Sequence, residues 1–275
     1  MANELRDPHL AFIGCGVMGE SMIAGLLHKG IVAAGQISAS HPREARRAEL
    51  AERYGIEVFA DNAEAVKDDS IAVICVKPQR LERVFSDLNG RMHPDQMVIS
   101  IVAGATIEKL AGELGTAKVV RAMPNTPSQI GAGITAWTCT VAVEDVDRGH
   151  VREMLSALGK ELFVETENMI DMATSLSATG PTYTFMVMEA LTDAGVHLGF
   201  SREMAKELVQ ETMLGSVKFA MESHKHPAEL RNMVTSPGGT SAEAIYQMEK
   251  GSLRTVLSKA VYAAYKRAVE LGKRN

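Results

Sequence analysis

Cysteine is scarce. Cys15, Cys75 and Cys139 are the only three in 275 residues; they lie far apart, are odd in number and form no CxxC pair. That count argues against a disulfide framework or a structural zinc site and fits a reducing compartment, the cytoplasm. An excess of positive charge is also missing: 29 Lys and Arg stand against 34 Asp and Glu, a net charge of -5. With a pI near 5.9, no basic face for phosphate neutralisation is expected and nucleic acid is not the expected partner. Long apolar runs are absent. The longest uncharged stretch, residues 122–143, contains Pro124, Pro127, Gly131, Gly133 and many hydroxyl residues, unlike a membrane span. The opening MANELRDPHL is charged and has no apolar core, so no signal peptide is expected. Eight histidines are present without an HExxH pattern. His224 and His226 are close but have no evident third ligand, so surface or capping roles are expected and a metal is not. No G-x-S-x-G elbow or activated cysteine supports covalent hydrolysis.

What is present is alternation. The runs HLAFIG, GQISAS, IEVF, IAVICV, MVISIV and AKVVRAM read as strands, several apolar enough to be buried on both faces. Helical patterns over residues 17–29, 43–54, 79–88 and 107–114 lie between them. This alternation predicts a parallel sheet wound on both faces. Two further strands, ITAWTCTVAV and KELFVE, flank a helix over 146–158. After Glu167 only helices are expected, over 181–198, 201–223, 227–234, 240–250 and 252–271. The boundary is placed there, with domains 1–167 and 168–275. An apolar all-helical second part rich in Met, Ala and Leu suits pairing with a second copy of itself.

Gly14-Cys15-Gly16-Val17-Met18-Gly19 fits G-x-G-x-x-G and stands between a strand and a helix, the context that the motif requires. Gly14 permits the tight turn, Gly16 lets backbone approach a pyrophosphate, and Gly19 allows close helix–strand packing. The bland reading is a glycine turn with no ligand. About 20 residues on, an NAD enzyme usually carries an acid for the ribose 2′-hydroxyl. Here the chain reads Ile37-Ser38-Ala39-Ser40-His41-Pro42-Arg43. Hydroxyls and Arg43 suit a 2′-phosphate, so NADPH is expected over NADH. Arg46 and Arg47, one turn later, read either as phosphate partners or as a solvated helix face. Val76-Lys77-Pro78 ends a strand where open parallel sheets bind ligands, and Lys77 either approaches the cofactor or is merely exposed. Met123-Pro124-Asn125-Thr126-Pro127 is a rigid loop that either holds a nicotinamide ring or is a structural turn.

In the helical part, Ser236-Pro237-Gly238-Gly239-Thr240-Ser241 precedes a helix. Two glycines leave the backbone bare, so amides at the helix start can close on an anion such as a carboxylate. The hydroxyls of Ser236, Thr240 and Ser241 can add hydrogen bonds. Thr240 and Glu243 are spaced as a capping box, and an ordinary capped turn is the competing reading. Ser177-Ala178-Thr179-Gly180-Pro181 reads as a second small-residue turn before a helix.

FIGCGVMGESMIAGLL, CVKPQ, VVRAMPNTP, EALTDAGVHLG, HPAELRNMVTSPGGT and EKGSLRTVLSKAV together resemble pyrroline-5-carboxylate reductases over nearly the whole chain. The resemblance implies an α/β protein with an N-terminal Rossmann-type doubly wound sheet and an all-helical C-terminal dimerisation domain. It implies NAD(P)H-dependent reduction of 1-pyrroline-5-carboxylate to proline, and homodimers stacked into larger rings, a decamer among them. The family's cofactor residues fall on the Gly14–Gly19 loop with Met18, and on Ser40, Asn62, Lys77 and Met123 to Asn125. Its substrate loop falls on Ser236, Gly238, Gly239, Thr240 and Ser241. The chain departs from the family's usual pattern at Ser241, commonly Thr, and at Ala178-Thr179 within a usual S-G-S-G-P. On this reading the Ser241 hydroxyl hydrogen-bonds the imine nitrogen and relays a proton from water. Rival readings are a reductase of another cyclic imino acid, a hydroxyacid dehydrogenase, and a non-catalytic NADPH-binding protein.

Overall fold

The computed structural model describes residues 9–68 and 70–274. Its elements follow in order as β1 (Leu10–Ile13), α1 (Val17–His28), β2 (Ile37–Ser40), α2 (Glu44–Tyr54), β3 (Glu57–Phe59), α3 (Asn62–Ala65), β4 (Ile71–Ile74), α4 (Leu81–Leu88), β5 (Val98–Ser100), α5 (Ile107–Leu114), β6 (Val119–Met123), β7 (Gly133–Cys139), α6 (Asp145–Ser156) and β8 (Gly159–Phe163). Among the described residues these strands form one eight-stranded sheet in the order β3-β2-β1-β4-β5-β6-β7-β8. All neighbouring strands are parallel except β6 and β7. The six strands β1 to β6 are parallel to one another, as their alternation with helices predicts, and the antiparallel pair begins only with β7. Between Met123 and Gly133 the chain holds only a short 3-10 turn, too little for the crossover that a parallel return needs.

Alternation along each strand divides the core. On β1, Leu10 and Phe12 join the layer containing Met22, Ile23 and Leu26 of α1. Ala11 and Ile13 join the opposite layer, with Leu81, Val84 and Phe85 of α4 and Leu110 of α5. Helices on both faces bury both sides of the sheet, which explains why IAVI in β4 has no polar alternation. The single tryptophan, Trp137 on β7, is fully buried. Its ring meets Phe163 edge-on, centroids 4.9 Å apart.

No strand follows residue 167 among the described residues. The chain continues as α7 (Asn168–Ala173), α8 (Gly180–His197), α9 (Arg202–Ser223), α10 (Pro227–Met233), α11 (Thr240–Lys250) and α12 (Leu253–Arg274). Contacts divide the molecule into one unit ending at Thr179, to which the end of α12 from Ala264 onward also belongs, and a second unit of residues 180–263. Tyr265 near that end donates to Asn168 at 3.0 Å, within the first unit.

Arg121, on β6, is 1% exposed. Its guanidinium reaches Glu167 at 2.8 Å and Asp171 at 2.7 Å. Glu167 also accepts the Ile107 amide at 2.8 Å, so one carboxylate ties the starts of α5 and α7 to the sheet. The Arg121 Nε has no partner among the described residues.

Candidate active site

The glycine loop follows β1 and opens α1. Gly14 sits at φ 74, the left-handed region that favours glycine. A Cβ there would lie 2.1 Å from Val76 Cγ1. At Gly19 an added Cβ would stand 2.7 Å from Cys75 Sγ, so this glycine sets the spacing of α1 against β4. At Gly16 a Cβ would meet nothing closer than the Gly14 carbonyl at 3.9 Å. Gly16 is the N-cap and has no side chain to satisfy the helix start. The Val17 and Met18 amides therefore remain as donors, which fits a pyrophosphate.

Behind the loop, the Gly14 amide donates to Ser40 Oγ at 3.0 Å and the Cys15 amide to the Ser40 carbonyl at 2.9 Å. The Ser40 hydroxyl donates to Asn62 Oδ1 at 2.6 Å. Ser40 is fully buried, so it braces the loop from behind.

In front lies a cleft of about 510 Å³ that brings together Gly14, Gly16, Val17, Arg43, Val76 and Lys77. His41, Pro42, Arg80, Glu20 and Arg46 also line it. Arg46 is committed to carboxylates: it pairs with Glu20 and, at 2.7 Å, with Glu49. Glu20 also receives Arg53 at 2.7 Å and the Tyr54 hydroxyl at 2.9 Å. Burial pushes the Glu20 carboxyl up, but hydrogen bonds from Arg46 and Tyr54 and the nearby guanidinium charges outweigh it and hold the group below its usual range. Arg47 donates to the His41 and Pro42 carbonyls at 3.1 and 3.0 Å, bracing the turn after β2. Arg43, which precedes α2, has an exposed side chain and forms no ion pair within the protein among the described residues. Burial and the Arg43 charge lower the His41 imidazole, and its Nδ1 accepts the Arg43 amide at 3.2 Å.

Lys77 precedes a 3-10 turn that Pro78 opens, which delays α4 to Leu81, later than the Gln79 expected. The Met123–Pro124–Asn125 loop follows β6. Asn125 Oδ1 accepts the Ile134 amide at 3.0 Å, and the Asn125 Nδ2 has no hydrogen-bond partner among the described residues. Met123 is buried with Ala136, Val164 and Ile170. Cys15, within the loop, and Cys75, just after β4, are both buried, and burial pushes the Cys15 thiol up to about 12 despite Arg46 nearby. Such thiols are poor nucleophiles.

In the second unit, the Gly239 amide donates to the Ser236 carbonyl at 3.0 Å. Pro237 and Gly238, the latter at φ 71, fill the centre of that turn, as a type II turn demands. The expected capping box does not form. Gly239 is the N-cap of α11 and carries no capping side chain, while Thr240 is already helical. Glu243 turns forward and accepts from Gln247 at 3.0 Å. The Thr240 and Ser241 amides consequently meet no backbone carbonyl among the described residues, and Ser241 is half-buried beside them. His226 caps α10, its Nδ1 accepting the Ala228 amide at 3.2 Å. Among the described residues no group of three or more metal-ligating side chains is assembled, and no helix is long and apolar enough to cross a membrane.

A family model for pyrroline-5-carboxylate reductase dimerisation matches residues 167–271, and one for coenzyme F420-dependent NADP oxidoreductases matches residues 9–104. A pyrroline-5-carboxylate reductase of Pseudomonas aeruginosa is 40% identical over 97% of this chain and 98% of its own. The chain belongs to the pyrroline-5-carboxylate reductase family. Among solved structures, the pyrroline-5-carboxylate reductase of Coxiella burnetii matches with a TM-score of 0.88 and 33% identity, covering 97% of this chain and 99% of that one. The Plasmodium falciparum enzyme, solved with NADP bound, matches with a TM-score of 0.88 and 30% identity over 97% of this chain and 98% of its own.

Two features of this pyrroline-5-carboxylate reductase family member escaped the sequence. The Ser177–Pro181 stretch is no turn: residues Thr174–Ala178 form a π-helical turn joining α7 to α8. The Thr179 amide and hydroxyl both donate to the Thr174 carbonyl at 2.9 Å. Pro181 has no amide to give to an ordinary helical bond, and the wider turn takes up that break. The Glu20 cluster was the other omission. Its signal was Arg46, Glu49 and Arg53 at helical spacing on one face of α2.

Proposed function

We infer that the chain catalyses NAD(P)H-dependent reduction of 1-pyrroline-5-carboxylate to proline. Family membership over nearly the whole length carries this reading, and the local geometry suggests the division of roles. The Gly14–Gly19 loop, with the Val17 and Met18 amides, takes the pyrophosphate. Ser40 and Asn62 hold the loop in shape, while Arg43, Val76, Lys77 and Pro78 line the cofactor's path. Pro124 and Asn125 border the nicotinamide. The Gly239–Ser241 helix start, with Gly238 and Ser236 before it, takes the ring carboxylate through bare amides and hydroxyls. The reduced nicotinamide supplies a hydride to the C=N carbon. Ser241 hydrogen-bonds the imine nitrogen and passes it a proton from water, so no strong acid is needed beside it. The working division of the chain is a dinucleotide-binding part, 1–167, and a helical substrate-binding and dimerisation part, 168–275.

NADPH is the preferred donor on this reading. Arg46 is already neutralised by Glu20 and Glu49, whereas Arg43, exposed just after the end of β2, is paired with no carboxylate among the described residues and is the cation assigned to a 2′-phosphate. Arg43→Ala is expected to raise KM for NADPH about ten-fold and leave KM for NADH within about two-fold, as loss of one charge-assisted contact implies. An equal change for both donors removes Arg43 from that role.

The protein works as a homodimer, which stacks into a decamer, in the cytoplasm. Phe185, Leu198, Val217 and Phe219 in α8, α9 and the turn between them are each more than half exposed in the single chain, a burden that a second copy relieves. A panel assay following NADPH oxidation with five-membered imine, six-membered imine and keto acids tests the whole reading. Oxidation is expected with the five-membered substrate foremost; none with any imine defeats it.

A further inference from the structure

Beside the phosphate cleft, and sharing Gly14, Pro42, Val76 and Arg80 with it, lies a cavity of about 170 Å³. Pro42, Ala60, Val76 and Val84 give it apolar sides, and Asn62 and Asp87 place polar atoms on its lining. It opens beyond the carboxyl ends of the strands, on the β2 and β3 side of the point where strand order reverses. A dinucleotide whose pyrophosphate rests on α1 carries its adenosine half in that direction.

The polarity of this lining is fixed by a chain of hydrogen bonds. The Gly14 amide donates to Ser40 Oγ, so the hydroxyl proton goes on to Asn62 Oδ1. That orients the Asn62 amide and turns its Nδ2 to Asp87 Oδ2, at 2.9 Å. Arg83 Nε approaches the same oxygen, at 3.6 Å. Asp87 Oδ1 takes no hydrogen bond among the described residues. A carboxylate oxygen only accepts.

We propose that Asp87 is a specificity-determining residue for the cofactor's base, its free oxygen accepting the exocyclic amine of adenine. The proposal rests on the reading that the glycine loop binds NAD(P)H. Adenine offers a donor at its 6-position, whereas a 6-oxo purine offers an acceptor there. Facing Asp87, the oxo group sets two acceptors against each other and leaves both unpaired.

The test is isothermal titration with NADPH and with its deamino analogue, which carries hypoxanthine in place of adenine. The wild-type protein is expected to bind NADPH at least about ten-fold more tightly, the worth of one hydrogen bond to a charged group. In Asp87→Ala the two dissociation constants are expected to converge to within about two-fold. Removing Asp87 also releases Asn62 and weakens both ligands, so the ratio between bases, not either affinity, is the readout. Should Asp87→Ala fail to fold, Asp87→Asn keeps the shape and is expected to lose the same preference. Equal binding of both dinucleotides by the wild type overturns the proposal, as does an undiminished ratio in the variant. Failure of the wild type to bind either dinucleotide overturns the cofactor reading itself.

Discussion

Ser241→Ala is expected to lower kcat about 100-fold, the usual worth of one positioned proton-transfer group, with the NADPH dissociation constant unchanged. The reason lies in how α11 begins. Gly239 caps the helix with no side chain, and Thr240 and Ser241 present their amides. Alanine keeps the Ser241 amide, so the proposed grip on the carboxylate is expected to survive and KM for the imine to move less than kcat. What disappears is the hydroxyl, the one group at this helix position able both to accept and to donate a proton. Ser241→Thr restores it and is expected to return turnover to within about three-fold of wild type. Single-turnover kinetics with saturating NADPH measure this directly, and wild-type turnover in Ser241→Ala removes the residue from the proton path.

The largest loss of stability is expected at Arg121. Its buried guanidinium answers Glu167 and Asp171 together. Arg121→Met leaves two carboxylates facing an apolar side chain, and breaking a buried ion pair from one side costs about 3–5 kcal/mol. Urea denaturation followed by circular dichroism measures it; a change below about 1 kcal/mol means that the pairs contribute no more than exposed ones. The damage should not stay at β6, because Glu167 also holds the first amide of α5 and stands just ahead of α7.

Much of this was legible in the residues. The bounds of α5 and α11 were readable because Thr106 caps one and the Gly238-Gly239 pair stops the chain before the other. The glycine loop was readable because Gly14 and Gly19 each answer a separate steric demand, while Gly16 leaves the helix start bare. The apolar run through Val76 reads as strand throughout, but the strand ends at Ile74, and Val76 and Lys77 line the cleft. The capping box failed because spacing names two side chains that can meet, while the competing Gln247 lies one helical turn further on. The π turn was invisible because its cause, a proline lacking an amide at the head of α8, reads equally well as a break. The Glu20 cluster joins helices distant in sequence, and only the fold brings them together.

One spectroscopic consequence follows from Trp137. It is the chain's sole indole, sealed inside the sheet against Phe163. Its emission therefore follows the melting of the sheet-bearing unit alone. The helical half, residues 180–263, carries no such lamp: it can loosen or separate from a companion subunit while the fluorimeter records a folded protein.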